Sequence, residues 1–187
     1  MDILHSLTSA FNPKAVAVVG ASDRTGSRGS FVWSGVMNGR RVHEAYPVNP
    51  KYKYIGVTSC WPSLSEVPAK IDLAVFATPS SKIEGLLKEC KKLAIPNVLI
   101  TPGDEELTAD RRWRERIAQM AREAGIRLIG PDSMGIMRPS IGLNVSYWPH
   151  LAQTGSIGLL CQSGAVTAAV LEYADRSCIG FSTVISS

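Results

Sequence analysis

Short, wholly apolar runs alternate along the chain with stretches in which apolar residues recur every three or four positions, the patterns of buried strands and of amphipathic helices respectively. AVAVVG at 15–20 is apolar throughout and closes on glycine, which predicts a buried parallel strand. A helix is expected from about Ser27 to Asn38 and Gly39, since glycine commonly ends helices. EAYPVNP forms a second strand closed by an Asn and Pro turn. IDLAVFATP (71–79) repeats the pattern, and Ile83, Leu86, Leu87 and Cys90 then fall at helical spacing. NVLITPG reads as a fourth strand. Trp113, Ile117, Met120, Ala121 and Ala124 stripe the next helix, Gly125 stops it, and RLIGP begins a fifth strand.

Strand and helix taking turns in this way argue for an α/β fold with a mostly parallel sheet covered on both faces, because parallel neighbours need a crossover helix. Ligands of such sheets sit beyond the carboxyl ends of the strands. GASDRTGSRG, PVNPK, ATPSS, TPGD and GPDSMG therefore fall along one rim. IMRPSIGLNVSYWPHLAQTG (136–155) reads as a turn-rich connection. After it the pattern restarts with SIGLLCQSG, a helix from about Ala165 to Arg176, and GFSTVISS. Two strands and one helix do not close a core of their own, so residues 148–187 are expected to be a linker and the truncated start of a second domain, with residues 1–147 as the first. No solenoid repeat or low-complexity tract is present.

At 187 residues, 45% hydrophobic and 19% charged, the chain exceeds the usual ~150 residues of one domain and has ample material for a core. The net charge of +4 raises the question of a nucleic-acid partner. Its densest cationic group, RRWRER at 111–116, is interleaved with Glu105, Glu106, Asp110, Glu115 and Glu123 and reads as the solvated face of an amphipathic helix. Cys60, Cys90, Cys161 and Cys178 are far apart, without CxxC or metal-spaced histidine, so they are expected to be buried thiols in a reducing cytoplasm. MDILHSLTSAFNPK lacks the pattern of a secretory leader, and no apolar run approaches the ~18 residues of a membrane helix. A soluble cytoplasmic protein, bound to neither membrane nor nucleic acid, is expected.

The candidate chemistry lies in VAVVGASDRTGSRGS, where the first strand runs into Gly20, Gly26 and Gly29 interspersed with Ser22, Thr25 and Ser27. Backbone N–H groups at a helix start attract anions, and glycine allows a phosphate to approach the chain. The spacing is not that of a P-loop: five residues separate Gly20 from Gly26, and Ser27 stands where lysine is needed. Nor is it the GxGxxG dinucleotide fingerprint. Ser22 and Thr25 occupy the other glycine positions, and the second strand ends in Val48, Asn49, Pro50 and Lys51 without the carboxylate that binds the ribose of NAD. Lys51 suits an adenosine with an extra ribose phosphate, which leaves NADP or coenzyme A. The glycines could also serve only a tight turn.

FNPKAVAVVGASDRTGSRG, YPVNPKY, PSLSEVP, DLAVFATP, GIRLIGPDSMGIMRPSIGLN and GSIGLLCQSGA, in that order, resemble the coenzyme A-binding front half of NDP-forming acyl-CoA synthetases. The succinyl-CoA synthetase alpha subunit and bacterial protein lysine acetyltransferases share this module. The resemblance runs from about Phe11 to Ser187. It implies a Rossmann-like, doubly wound CoA-binding domain followed by the start of a flavodoxin-like domain. It also implies that Gly20, Ser22, Thr25, Gly26 and Ser27 line the nucleotide phosphates, that Asn49 and Lys51 lie near the ribose phosphate, and that Thr78 and Pro79 edge the adenine. The pantetheine arm would run toward Gly130–Gly135, past Pro131, Asp132 and Ser133.

In that family ATP drives formation of an acyl phosphate, and a histidine carries the phosphoryl group. His5, His43 and His150 match no such motif, and no ATP-grasp portion is present, so this chain is expected to bind CoA or acyl-CoA without making it. An ATP-grasp domain or subunit is the implied partner, and a homo-oligomer is possible. Ser163 and Gly164 in QSGAV sit where the family's helix receives the phosphohistidine, though locally Ser163 is equally a plain helix cap. Cys161 and Gln162 before it exclude a GxSxG hydrolase elbow. Two departures stand out: GPD where the family has GPN, which puts Asp132 at the thioester end, and TPGD in place of a small-residue loop. A carboxylate there disfavours anionic acyl groups and shifts the expectation toward sensing CoA. The alternatives are the acyl-CoA-sensing module of a protein lysine acetyltransferase and an NADP-dependent oxidoreductase domain.

Overall fold

The structure, a computed structural model, describes residues 3–39, 44–101, 103 and 109–186, with side chains from residue 7 onward. Its elements run α1 (Ile3–Phe11), β1 (Ala15–Val19), α2 (Arg28–Asn38), β2 (Glu44–Val48), the short hairpin β3 (Tyr54–Ile55) and β4 (Thr58–Ser59), β5 (Leu73–Phe76) and α3 (Ile83–Lys92). There follow β6 (Asn97–Ile100), α4 (Arg111–Glu123), β7 (Arg127–Ile129), β8 (Gly135–Arg138), β9 (Leu143–Ser146), β10 (Thr154–Cys161), α5 (Gly164–Arg176) and β11 (Phe181–Ser186).

The five expected strands form one parallel sheet in the order β2-β1-β5-β6-β7. Its inner strands are buried on both faces, as their unbroken apolar runs require. Successive residues of β1 divide between the layers. Ala15, Ala17 and Val19 join α3 and α4 through Ile83, Leu87, Trp113 and Ile117, while Val16 and Val18 join Val32, Trp33 and Val36 of α2. The chain order reverses between β1 and β5. This is the switch point of a doubly wound, Rossmann-like α/β fold, and the two crossovers leaving it open a crevice at the strand ends.

The segment expected as a turn-rich connection is in part sheet. β8 and β9 make an antiparallel hairpin closed by a 3-10 turn over Pro139–Ile141, with Gly142 in the left-handed region at φ 71°. β11 pairs antiparallel with β8 and parallel with β10, giving a second sheet in the order β10-β11-β8-β9. Each hairpin strand has only four residues and is nearly all buried, so it carries no polar alternation, and Pro139 reads as a break. Ile136, Leu143 and Val145 pack into the layer of α2, while Met137 faces α5 and β11 with Leu171, Phe181 and Val184. The second sheet therefore draws strands from both sides of position 147.

α4 bears out the amphipathic reading. Trp113, Ile117 and Ala121 are buried, while Arg111 pairs with Glu115 at 2.8 Å and Arg116 reaches Glu84 of α3 at 2.6 Å, all on the exposed face. Glu105, Glu106 and His43, and Pro102 and Asp104 of the TPGD loop, lie outside the described residues. No helix among the described residues is long and apolar enough to cross a membrane.

Candidate functional site

The site begins where β1 ends. Gly20 donates to the Val48 carbonyl at 2.8 Å, which joins the first loop to the end of β2. Its φ is 87°, and a Cβ there would lie 2.5 Å from the Ala77 carbonyl oxygen, so glycine is required both by the left-handed backbone and by the neighbouring strand end. The loop beyond is held by its own hydroxyls. Ser22 accepts from the Arg24 N–H at 3.0 Å and lies 3.4 Å from the Tyr52 hydroxyl. Ser27 caps α2 by accepting from the Ser30 N–H at 3.2 Å, satisfying a donor that the helix cannot.

Asn49 spans the gap between the first two strand ends. Its amide nitrogen donates to the Ala21 carbonyl at 2.8 Å, and its oxygen accepts from the Lys51 N–H at 3.0 Å. Asn49 thus shapes the turn that carries Lys51 as well as facing the crevice. Cys60 lies beneath the same turn with Sγ 3.6 Å from the Asn49 carbonyl. Burial pushes its thiol pKa up, and the hydrogen bond to Asn49 opposes the shift only in part.

These loops enclose a basin of about 730 Å³ beyond the ends of β1, β2 and β5. Gly20, Ser22, Ser27, Asn49, Lys51, Thr78 and Pro79, all expected from the sequence, line it. Thr25 and Gly26 belong to the same loop but are exposed and stand outside the lining. Sequence reasoning missed Arg24, Arg28 and Lys82, which add positive charge to the rim, and Leu64, Leu86 and Glu89, which form a far wall. Lys82, Leu86 and Glu89 were legible in principle, because they recur at helical spacing on the face of α3 that flanks buried Ile83, Leu87 and Cys90, about 100° round the helix. Leu64 was not, since nothing local says that the segment after the β3–β4 hairpin folds back over the crevice.

The remaining expected residues are elsewhere. Pro131, Asp132 and Ser133 follow β7 and do not line the basin. Asp132 is exposed, at φ 71°. Ser133 is fully buried; its hydroxyl donates to the Ser186 carbonyl and accepts from the Gly135 N–H at 3.0 Å, so it ties the loop to β11 and has no face toward a ligand. Ser163 caps α5 by accepting from the Val166 N–H at 3.3 Å. A Cβ on Gly164 would lie 3.6 Å from that of Met134, so the start of α5 adjoins the loop after β7, away from the basin.

The basin has the chemistry of a polyanion site. Arg24, Arg28, Lys51 and Lys82 surround it with a single carboxylate, Glu89, in its lining. The Thr78 hydroxyl is buried with no hydrogen-bond partner among the described residues, an arrangement that costs about 1–3 kcal/mol unless a bound group supplies one. Among the described residues no group of three or more His, Cys, Asp or Glu side chains is placed to hold a metal. Fold and basin together define a Rossmann-like nucleotide-binding module suited to a ligand carrying several phosphates.

Residues 14–139 match the family model described as a CoA binding domain. The chain belongs to that family. It is 36% identical over 177 residues to an ADP-forming acetate–CoA ligase of Methanocaldococcus jannaschii, covering 93% of this chain and 24% of that protein. It is 34% identical over 178 residues to ADP-forming acetate–CoA ligase I of Archaeoglobus fulgidus, covering 94% and 26%. A solved structure, the dinucleotide-forming acetyl-coenzyme A synthetase 1 of Ca. Korarchaeum cryptofilum in complex with phosphate and ADP, superposes with a TM-score of 0.90 at 29% identity, over 96% of this chain and 39% of that one. The chain thus spans about a quarter of the length of these curated relatives.

Proposed function

We propose that this chain is the CoA- or acyl-CoA-binding portion of an ADP-forming acyl-CoA synthetase, a cytoplasmic protein. The observation that carries the reading is the cationic basin at the switch point, in a chain whose family is the CoA binding domain. The phosphates lie along Gly20, Ser22, Thr25, Gly26 and Ser27, with Asn49 and Lys51 at the ribose 3′-phosphate and Thr78 and Pro79 at the adenine. The pantetheine arm leaves toward Pro131 and Asp132. Ser163 and Gly164, at the head of α5, receive a phosphoryl group presented by another part of the enzyme. Residues 1–147 form the CoA-binding unit, and 148–187 begin a second α/β unit. The length of the relatives supports further domains or subunits; an ATP-grasp part is the partner that ligase chemistry requires, and self-association into a homo-oligomer is compatible with the reading.

Calorimetry with CoA, dephospho-CoA, NADPH and ATP tests it. CoA is expected to bind with Kd near 1 μM, about −8 kcal/mol. Loss of the 3′-phosphate, or Lys51→Ala, is expected to weaken binding about tenfold, the scale of one charge-assisted contact. The two changes are non-additive, because each removes one side of the same pair. Tighter binding of NADPH than of CoA would overturn the assignment in favour of an oxidoreductase domain.

A further inference from the structure

The basin is graded in polarity along one wall. α3 and the residue before it present Lys82, Gly85, Leu86 and Glu89 to the cavity, positions i, i+3, i+4 and i+7, which share one helix face. Lys82 stands at the N-terminal end, and Glu89 lies about 10 Å further along the axis at ~1.5 Å per residue. Between them Gly85 has no side chain, and a Cβ built on it meets nothing within 4 Å. That leaves an open stretch above Gly85, bordered by Leu86 and by Leu64, which pack into one apolar cluster.

Glu89 closes the far end. Its Oε1 accepts from the Ser65 N–H at 3.1 Å, which pins the 3-10 turn Leu64–Glu66 to α3. Oε2 has no hydrogen-bond partner among the described residues. A carboxylate only accepts, and it repels phosphate. The wall therefore offers a cation at one end, an apolar gap in the middle and an acceptor at the other, about one nucleoside's length away. An aminopurine nucleotide complements that order, with its phosphates on the loop from Gly20 to Ser27, the flat base running from the edge formed by Thr78 and Pro79 over Gly85 and along Leu86, and the exocyclic amine toward Oε2.

We infer that Glu89 determines base specificity in this basin, accepting from the 6-amino group of adenine and excluding 6-oxo purines, whose O6 would meet the carboxylate lone pair to lone pair. The inference rests on the reading of the basin as a CoA site. Glu89 thereby serves twice, as tether of the wall through one oxygen and as reader of the base through the other.

The test is calorimetry on the 187-residue chain with CoA and its deaminated, hypoxanthine-containing analogue. The analogue is expected to bind at least about tenfold more weakly, the usual effect of an unpaired polar group at a charged acceptor. Glu89→Gln retains an acceptor for the Ser65 N–H and adds an NH₂ donor, so its preference for CoA is expected to fall below about threefold or to reverse. Equal affinities of the unaltered chain for the two ligands, with Lys51→Ala still weakening both, overturn the base assignment and leave the CoA site standing. So does a folded Glu89→Gln chain that keeps the full preference. Binding of neither ligand overturns both readings. Should Glu89→Gln fail to fold, the comparison of the two ligands on the unaltered chain decides alone.

Discussion

Gly20 and Gly26 sit six positions apart in one loop, both with positive φ, yet they should respond differently to substitution. At Gly26 an added Cβ meets nothing within 4 Å, whereas at Gly20 it would press on the Ala77 carbonyl and the Thr78 methyl. Gly26→Ala is expected to cost only the backbone penalty, about 1–2 kcal/mol. Gly20→Ala adds the displacement of the end of β5 and should cost more, about 3 kcal/mol, while moving Thr78 out of the basin wall. Urea denaturation of both variants checks the order, and equal losses would show that the strand end yields freely. The same contrast separates what spacing can tell from what it cannot. Both glycines were candidates on sequence, and only the neighbouring strand, 57 positions on, distinguishes a sterically locked site from a turn.

Among the elements, α3 carries two functions on adjoining faces. Ile83, Leu87 and Cys90 are buried against the sheet, and Lys82, Leu86 and Glu89 face the cavity. Cys90 is fully buried, and burial, with a smaller contribution from the charge of Glu89, pushes its thiol pKa from 9.0 up to about 12. The folded chain therefore holds this proton more tightly than the unfolded one. The associated stability is complete below pH 9 and is lost as pH rises toward 12. Cys60, Tyr46 and Tyr147 are shifted in the same direction, chiefly by burial, and add to the decline. Cys90→Ala is expected to flatten the fall in unfolding free energy between pH 9 and about 11; an unchanged slope would mean that the thiol reaches solvent in the folded chain.

On the scale of the whole molecule, the two sheets are tied together. β8 and β9 lie on the α2 layer of the first sheet and receive β11 of the second, and Ser133 links the loop after β7 to the Ser186 carbonyl. A chain ending at residue 147 keeps every residue that lines the basin and the β8–β9 hairpin, but strips β8 of its pairing with β11 and uncovers Met137. Its CoA affinity is expected to stay within about threefold of that of the full chain, while thermal unfolding moves down by about 10 °C or more, as loss of several kcal/mol from a domain of this size implies. Parallel loss of affinity and stability would instead make the second sheet part of the binding unit.

By itself the sequence determined the order of strands and helices in the first sheet, the rim on which ligand loops fall, and the loop from Gly20 to Ser27 with Asn49 and Lys51 opposite. Those features are written in local patterns: apolar runs, helical spacing, and glycines at strand ends. The tertiary structure alone decided which strands adjoin and that a hairpin lies hidden in 136–155. It also decided that Ser133 faces inward, and that Lys82, Leu86 and Glu89 line one cavity with Leu64. The physical reason is that a short segment buried on both faces has no polar side to betray its period, and a cavity wall is a meeting of distant segments that no local pattern encodes.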